Sequence, residues 1–394
     1  MSPVIPAYLT VNPLTLLTRP SGEWQSWFPF SSPRGLWTYV GRTALYRGLL
    51  RLKLKPGSTV LFPSYFQGVE ADTLLHAGFK LRFYRVDRSF RPDLTDVERR
   101  LDGEASALYI THYFGLPQPL PLISEFCRTK GLKLIEDCAL GLFSKDGESW
   151  LGSAGDMAMY CVYKTVPLPH GGFLVTKTAS GEEKMERPPA RPVFLQTADL
   201  IAQHFKNRLF SPALEGAWLR TAGLRKALVG EMSSGNMDFK TAVLEYGAAP
   251  VAEYLMGFCN PQTIIQRRRE NFERLLCRLD GAVRPVIKEL PGGACPCFFP
   301  VYVEDKAQFR KDLAARGIGS VNLWNPPHRA CPEDMAKEVA PWRNQILELP
   351  IHQQIDEEGV ERIAAAVAEV ANRKRQSVSM WSIPEMAFPT TSGH

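Results

Sequence analysis

The stretch Leu132-Lys133-Leu134-Ile135-Glu136-Asp137 ends an apolar run on two carboxylates, and a lysine, Lys164, follows further along the chain. The run from 132 to 135 has the composition of a buried strand. In open α/β sheets, ligands bind beyond the carboxyl ends of the strands, which is the position of Asp137. A second apolar run, at 157–162, directly precedes Lys164. The pattern therefore predicts a carboxylate and a lysine at one edge of a sheet.

The segments around this stretch alternate between helix and strand. Helices are predicted over 42–52, 67–76, 93–101 and 121–130, and strands over 59–62, 80–86, 107–110 and 132–135. The strands are unbroken apolar runs, which is typical of a parallel sheet covered by helices on both faces. We therefore expect an α/β fold built on a large, mostly parallel sheet.

The remaining segments define the expected organisation of the chain. A helix at 200–210 is predicted within a connection, and helices at 262–280, 306–316 and 357–372 alternate with strands at 298–303 and 346–349 in a smaller α+β pattern. The expected regions are an N-terminal arm (1–40), a large domain (41–250), a small C-terminal domain (251–372) and a tail (373–394). The arm carries Trp24, Trp27, Phe28 and Phe30, which we expect to be buried on a partner subunit because exposed aromatic clusters promote aggregation.

Composition excludes several classes of protein. Lysine and arginine number 47 against 41 aspartates and glutamates, with no long basic block, which argues against a nucleic-acid partner. No apolar run is long enough for a membrane span, and the N-terminus lacks the pattern of a signal peptide. The eight cysteines are mostly isolated, and Cys295-Pro-Cys297 lacks zinc-site spacing. We expect a cytoplasmic protein with reduced thiols and without a metal or a membrane partner.

A carboxylate and a lysine at neighbouring strand ends suit pyridoxal 5'-phosphate (PLP). A lysine amine forms a Schiff base with the aldehyde, and a carboxylate keeps the pyridine nitrogen protonated so that the ring acts as an electron sink. The phosphate requires N–H groups at a helix N-terminus, and Gly41-Arg42-Thr43-Ala44 opens the first predicted helix. From spacing alone, an ordinary strand-end aspartate and a solvated surface lysine remain an alternative.

Nine motifs in order make the chain similar to the DegT-DnrJ-StrS family of PLP-dependent sugar aminotransferases. They are GRTAL (41–45), VLFPSY (60–65) with LLHAG (74–78), THYFGLP (111–117), LIEDCA (134–139), GSAGD (152–156), YKTVPLPHGG (163–172), RRREN (267–271), GI..VNLW (317–324) and ILELPIHQ (346–353). The resemblance implies the fold-type-I architecture, with a large mixed sheet domain and a smaller α+β domain. It also implies that the protein converts a keto group to an amine, with glutamate as the donor. The keto group would belong to a nucleotide-linked sugar or a related biosynthetic intermediate, and the enzyme would be a homodimer with shared active sites.

The resemblance assigns roles by position. Asp137 falls on the residue that binds the pyridine nitrogen, and Lys164 on the residue that forms the Schiff base and carries the proton in the transfer. The implied cofactor-binding residues are Arg42, Thr43, Tyr65, Phe66, Gln67, Asp137, Cys161, Lys164 and Asn236. Weaker candidates for substrate contact are His112, Trp324 and His328, and His112 is equally compatible with a structural role.

Three positions depart from the family pattern. Gln67 falls where an aromatic ring stacks on the cofactor, Leu140 where Gln or His is usual, and Cys161 where a serine binds the phosphate. One explanation is a divergent subgroup that holds the same cofactor with other groups. The alternatives are a PLP-dependent dehydration or other reaction on a non-sugar substrate, and a non-catalytic PLP-binding regulatory protein.

Overall fold

A seven-stranded sheet dominates the computed structural model, which describes residues 3–178, 183–209, 241–324 and 327–379. In spatial order its strands are β1 (Leu36–Thr38), β9 (Gly172–Thr176), β8 (Met157–Cys161), β5 (Lys133–Asp137), β4 (Ala105–Thr111), β2 (Thr59–Pro63) and β3 (Lys80–Tyr84). The five strands from β8 to β3 are parallel, whereas β9 is antiparallel to both of its neighbours. The sheet is therefore mixed and mostly parallel, as the apolar runs predict.

Helices cover both faces of this sheet. They are α1 (Gly41–Leu52), α2 (Val69–His76), α3 (Leu94–Arg99), α4 (Leu120–Lys130) and α5 (Ala190–Leu209). Alternate strand residues face opposite sides, so Val60 packs with α1 and α2 while its neighbour Leu61 packs on the side of α4. Helix α3 is capped by Asp93, whose side chain accepts a hydrogen bond from the Asp96 N–H. Helix α5 begins ten residues before the predicted start, because Pro192 is tolerated in a first helical turn.

A second sheet of three antiparallel strands follows in the C-terminal part. It contains β10 (Arg284–Pro285), β11 (Phe298–Tyr302) and β12 (Ile346–Pro350), while β6 (Lys145–Asp146) and β7 (Ser149–Trp150) form a separate hairpin. The helices of this part are α6 (Pro250–Met256), α7 (Pro261–Arg278), α8 (Lys306–Ala314), α9 (Glu333–Gln345) and α10 (Glu357–Ser379). Phe272, Leu349 and Val367 belong to the core between this sheet, α7 and α10. Helix α9 was not predicted, and it contains Pro341, a residue that usually interrupts helices.

The N-terminal arm packs on its own chain. Ile5 pairs with Ile318 beside the second sheet, and Trp24 and Phe30 contact each other and Trp37 next to the first. Trp27 and Phe28 both contact Trp150 of β7. The chain itself buries Trp24, whereas Trp27, Phe28 and Phe30 remain partly exposed, so burial of these three rings on a partner subunit stays a prediction.

The states of the cysteines and the apolarity of the helices bear on two expectations drawn from composition. All eight cysteines are free thiols, and every one except Cys277 is buried. Among the helices of the described ranges, none has the length and apolarity needed to cross a membrane.

Candidate active site

Asp137 ends β5 as a buried carboxylate with two protein donors. Its Oδ2 accepts a hydrogen bond of 2.9 Å from the Tyr109 hydroxyl of β4, and its Oδ1 accepts one of 2.9 Å from the Ala139 N–H. Burial raises the pKa of Asp137 above its ordinary value, although the Ala139 hydrogen bond and the positive charge of Lys164 oppose that rise. The two hydrogen bonds fix the carboxylate in one orientation, and each oxygen keeps a lone pair for a cationic or N–H partner.

Lys164 closes a single turn directly after β8. Because β5 and β8 are parallel neighbours, with Asp137 opposite Met159, both side chains belong to the same edge of the sheet. Burial lowers the pKa of Lys164, but the neighbouring groups Cys161, Tyr163 and Asp137 outweigh it and raise that pKa above its ordinary value. The structure thus brings the predicted lysine and carboxylate together.

The N-terminus of α1 lies against the end of β8. A Cβ atom on Gly41 would stand 2.4 Å from the Cys161 Sγ, so only glycine allows this approach. The N-cap residue, Val40, has no side-chain acceptor for the first-turn amides, and the helix end carries a partial positive charge toward the lysine turn. Burial raises the pKa of Cys161, which keeps it a neutral thiol at the position of the expected serine.

Thr43 and Arg42, two residues of the predicted phosphate-binding turn, have side chains in different surroundings. The Thr43 hydroxyl donates to the Val243 carbonyl at 2.8 Å and its backbone N–H donates to the Val40 carbonyl at 3.0 Å, so both donors of Thr43 are committed to the protein. Arg42 lies close enough to Tyr163 to lower the pKa of that phenol, which burial raises. Arg42 is therefore the cationic side chain of the turn that faces the lysine segment.

Tyr65 and Phe66, two predicted cofactor contacts, are core residues. Both are almost fully buried, and the Tyr65 ring contacts Trp324 at 4.8 Å while the Phe66 ring contacts Phe62 at 5.0 Å. The prediction failed for these two because the chain turns both rings into the hydrophobic core. Gln67 is partly exposed, and its Oε1 accepts a hydrogen bond of 3.1 Å from the Trp324 N–H.

Trp324 and His328, two predicted substrate contacts, also have structural partners. The Trp324 ring is buried in an aromatic cluster with Tyr65 and Tyr113. His328 Nε2 pairs with the Asp72 carboxylate at 2.9 Å, and its Nδ1 accepts from the Ala330 N–H at 3.1 Å. Both ring nitrogens of His328 are therefore committed to the protein, and the Trp324 ring is covered by its aromatic neighbours, which corrects the prediction.

His112 is fully buried on the face of the sheet opposite Asp137. Its Nδ1 accepts from the Gln118 N–H at 3.2 Å, so its Nε2 is the donor to Glu136, at 3.0 Å. The Glu136 carboxylate also accepts hydrogen bonds from the N–H groups of Gly152 and Gly155. Of the two interpretations of His112, the structure supports the structural one. The Cys138 thiol lies within 4.8 Å of both groups, but the carboxylate is already fully hydrogen-bonded by the protein.

Replacing Glu136 with glutamine is expected to destabilise the fold without removing the cofactor site. The amide would place an NH₂ donor against one of three N–H donors, leaving a buried clash at the centre of the network. We expect the free energy of unfolding to fall by about 1–3 kcal/mol, measured by urea denaturation. PLP affinity of the folded fraction should stay near the wild-type value, and a large loss of that affinity at unchanged stability would contradict the structural role.

Glu70, on the first turn of α2, is a site residue that sequence reasoning missed. Its Oε2 accepts a hydrogen bond of 2.9 Å from the Gly68 N–H. Burial, with a contribution from Asp137, raises the pKa of Glu70 to about 7, and Lys164 opposes that rise. The available signal was its place shortly after β2, whose carboxyl end lies at the same sheet edge as Asp137.

Tyr8 of the N-terminal arm was missed as well. Burial raises the pKa of its hydroxyl, and Lys164 is the cation that most strongly opposes this rise. Tyr8 is 55% exposed, so it lies at the surface of the molecule and within the range of the positive charge of Lys164. Leu140 is buried in the core, and Asn236 lies outside the described residues.

The donor set fits PLP. Asp137 is a buried anion for the pyridine nitrogen, Lys164 is an amine at the adjoining strand end, and α1 directs its N-terminus at the same place. A Cβ atom at Gly41 would collide with the Cys161 Sγ, so the glycine lets the N-terminus of α1, the kind of site that binds phosphate groups, lie against the end of β8.

Comparison with known proteins supports the same assignment. The profile of the DegT/DnrJ/EryC1/StrS aminotransferase family matches residues 36–368. The dTDP-4-dehydro-2,3,6-trideoxy-D-glucose 4-aminotransferase of Saccharopolyspora spinosa is 26% identical over 340 residues, which cover 82% of this chain and 81% of that protein. The GDP-perosamine synthase of Caulobacter vibrioides is 24% identical over 84% of each chain. The aminotransferase TlmJ from Streptoalloteichus hindustanus has a similar fold, with a TM-score of 0.63, 20% identity and coverage of 93% of both chains.

The fold and the site together define a fold-type-I, PLP-dependent transferase. The chain belongs to the DegT/DnrJ/EryC1/StrS aminotransferase family, as its motifs indicate. The predictions of an α/β fold, of an aminotransferase that converts a keto group to an amine, and of PLP as its cofactor are confirmed.

Proposed function

We propose that this aminotransferase acts on the keto group of a nucleotide-linked sugar, with glutamate as the amino donor. The observation that carries the proposal is the position of Asp137 and Lys164 at the ends of the adjacent parallel strands β5 and β8. The Saccharopolyspora spinosa relative, a keto-sugar aminotransferase matched over most of both chains, supports the substrate class.

In this proposal each group has one task. Bound PLP supplies an aldehyde that takes up amino groups and a ring that accepts the electron pair released when a proton leaves the neighbouring carbon. Asp137, oriented by Tyr109 and Ala139, binds the ring nitrogen and keeps it protonated. Lys164 holds the cofactor in the resting enzyme and moves a proton on its Nζ during the transfer. The N-terminus of α1 binds the phosphate, with Arg42 beside it.

The departures from the family pattern support a divergent subgroup that keeps the reaction. Cys161 is a neutral thiol, so the phosphate depends on the α1 backbone and Arg42. Gln67 replaces ring stacking by a polar contact with the Trp324 backbone. The lysine that a dehydratase would generally lack is present, at Lys164.

Assembly and location complete the proposal. We propose a cytoplasmic homodimer in which each active site is completed by the partner, with Asn236 as a contributor from the other subunit. The proposed division into a large domain (41–250) and a small domain (251–372) is supported by the separate hydrophobic core between the second sheet, α7 and α10. The arm (1–40) and tail (373–394) are the proposed flanking regions.

The visible spectrum of the purified protein tests the function. With PLP it should be yellow, borohydride should attach the cofactor to Lys164, and glutamate should convert the spectrum to that of the pyridoxamine form. Nucleotide-linked keto sugars should then restore the yellow form. A protein that takes up no PLP would contradict the proposal, and a yellow protein that ignores glutamate would indicate a regulatory role. A deoxygenated keto product without amine transfer would indicate a dehydratase.

A further inference from the structure

The lysine turn (Val162–Lys164) is held at its end by two side chains from the C-terminal part of the chain. The carbonyl of Thr165, the next residue, accepts hydrogen bonds from Gln353 Nε2 at 2.9 Å and from Arg268 Nη2 at 3.4 Å. Arg268 Nε also donates to Gln353 Oε1 at 3.0 Å, so the two side chains bind each other. A residue of α7 and a residue that follows β12 therefore meet on one carbonyl next to Lys164.

Arg268 is a buried cation that forms no ion pair within the described ranges. It is 1% exposed, and its Nη1 donates to the carbonyls of Pro296 and Cys297 at 3.2 and 3.0 Å. The flanking Arg267 and Arg269 differ, since each pairs with a glutamate of the same helix. Burial of a cation without a carboxylate is costly, and hydrogen bonds from a charged donor are stronger than neutral ones. The carbonyl and amide oxygens around Arg268 therefore form its whole described environment and are tightly held by it.

Packing alone does not hold the backbone that follows the lysine turn. Val166 and Pro167 line a cavity of about 210 Å³, and Gln353 lines the same cavity. The Lys164 carbonyl has the Cys297 thiol at 3.9 Å, and a thiol is only a weak donor. On the side of the cavity, the two hydrogen bonds to the Thr165 carbonyl are therefore the contacts that fix the backbone.

We propose that Gln353 and Arg268 are positioning residues, which keep the Lys164 amine in place for proton transfer by fixing the Thr165 carbonyl. The inference rests on the proposed function of Lys164, and it makes that function depend on a contact across 188 positions of sequence. A displacement of about 1 Å can slow a reaction by about 10²-fold. Releasing the carbonyl should therefore slow the proton transfer and leave PLP affinity unchanged, because the phosphate and the ring nitrogen are assigned to other groups.

Gln353→Glu is the variant that separates positioning from general stability. The orientation of the Gln353 amide is forced, because Arg268 can only donate and the Thr165 carbonyl can only accept. A glutamate keeps the oxygen that accepts from Arg268 and adds a charge attraction to it. It has no N–H for the Thr165 carbonyl, which its negative charge repels. The variant thus removes one contact of the lysine turn and keeps the contact with α7.

The direct test measures hydrogen exchange in the cofactor-free, full-length chain. The N–H groups of Thr165 and Val166 both donate to the Val162 carbonyl, so their exchange with deuterated water reports the opening of the lysine turn. Mass spectrometry follows the peptide that contains these residues. In Gln353→Glu we expect this exchange to be about threefold faster or more, the effect of losing one hydrogen bond.

The second readout is the isotope effect of the PLP-loaded protein. Conversion to the pyridoxamine form is timed in a single turnover, with ordinary glutamate and with glutamate that carries deuterium at Cα. Gln353→Glu should react about tenfold more slowly and show a larger isotope effect, because the proton step becomes more strongly rate-limiting. A merely structural residue would change the amount of folded enzyme and not the isotope effect of the folded fraction.

Three variants make the result specific. Gln354→Glu is the matched control, because Gln354 makes the same two kinds of hydrogen bond to the Thr10 backbone of the arm, at 3.0 and 2.6 Å. It should leave both readouts at their wild-type values. Arg268→Lys keeps the charge but loses the planar group that reaches Gln353 and Thr165 together, so it should resemble Gln353→Glu. Gln353→Asn shortens the amide by one methylene and gives the same test if Gln353→Glu does not fold. Circular dichroism verifies the folding of each variant.

The outcomes distinguish this inference from the proposed function. If the wild type transfers the amino group and a folded Gln353→Glu protein shows wild-type exchange and isotope effect, only the inference fails. Faster exchange at an unchanged rate and isotope effect would also overturn it, because the contact would then be structural alone. If the wild type takes up no PLP, the proposed function fails and the link to proton transfer fails with it. Faster exchange in Gln353→Glu would still support the hold of Gln353 on the lysine turn.

Discussion

Replacing Lys164 with alanine is expected to abolish aminotransfer, with a fall in kcat of about 10³-fold or more, because the chain loses both its covalent anchor and its proton carrier. The measurement is the single-turnover rate with glutamate, followed by the change in the visible spectrum. The variant should fold normally, since a partly exposed side chain at the cleft adds little to the core. It should bind PLP without a borohydride-stable link.

The control for this experiment is a lysine outside the site. Lys133, which pairs with Asp156 on the surface, starts the strand whose other end carries Asp137. Lys133→Ala should keep wild-type kinetics and the borohydride link. Near-normal turnover in Lys164→Ala would show that another residue carries the chemistry.

Replacing Asp137 with asparagine is the second change for which we expect a large loss. The amide has nearly the same shape and can still accept the Tyr109 hydrogen bond, but it carries no charge to keep the ring nitrogen protonated. Removing one partner of a buried charge pair costs about 2–5 kcal/mol, which corresponds to a fall in kcat of about 30- to 5,000-fold. The readouts are the glutamate half-reaction rate and the PLP dissociation constant.

Tyr109→Phe is the matched variant for this prediction. It removes one hydrogen bond to the carboxylate and leaves the charge, so its effect should stay within about tenfold. A Tyr109→Phe loss equal to that of Asp137→Asn would mean that orientation, and not charge, is what the carboxylate contributes. Wild-type kinetics in Asp137→Asn would refute its assignment to the ring nitrogen.

The large sheet and the reactive pair were predictable because their signals are local. Apolar runs identify the strands, and a carboxylate that ends such a run must lie at a strand end, as Asp137 does. Whether a side chain is buried, and which groups it hydrogen-bonds to, depends on residues that are distant in the sequence. His112 and His328 each use both ring nitrogens on groups that only the folded chain brings near, so their motif positions could not reveal that they are structural.

Glu70 is the reverse case, because the sequence analysis did not predict it as a residue of the site. An acidic residue in a first helical turn is ordinarily explained by the helix dipole, and α2 has Asp72 in the same turn. Only the folded chain, in which α2 packs on α1 and β3, brings Glu70 within the range of the charges of Asp137 and Lys164. Tyr65 and Phe66 were assigned to the cofactor because they flank Gln67, but the turn after β2 directs their rings inward.

The N-terminal arm has a consequence for the order in which the chain matures. Ile5 pairs with Ile318, and the Thr10 backbone exchanges hydrogen bonds with the Gln354 side chain, 344 positions away. The ribosome releases residues 5–10 long before these partners exist, and closing so long a loop is slow. The arm therefore docks only after residue 354 has been made, later than segments whose partners lie nearby in the sequence. Tyr8 lies between these two anchors, so it also reaches its place late.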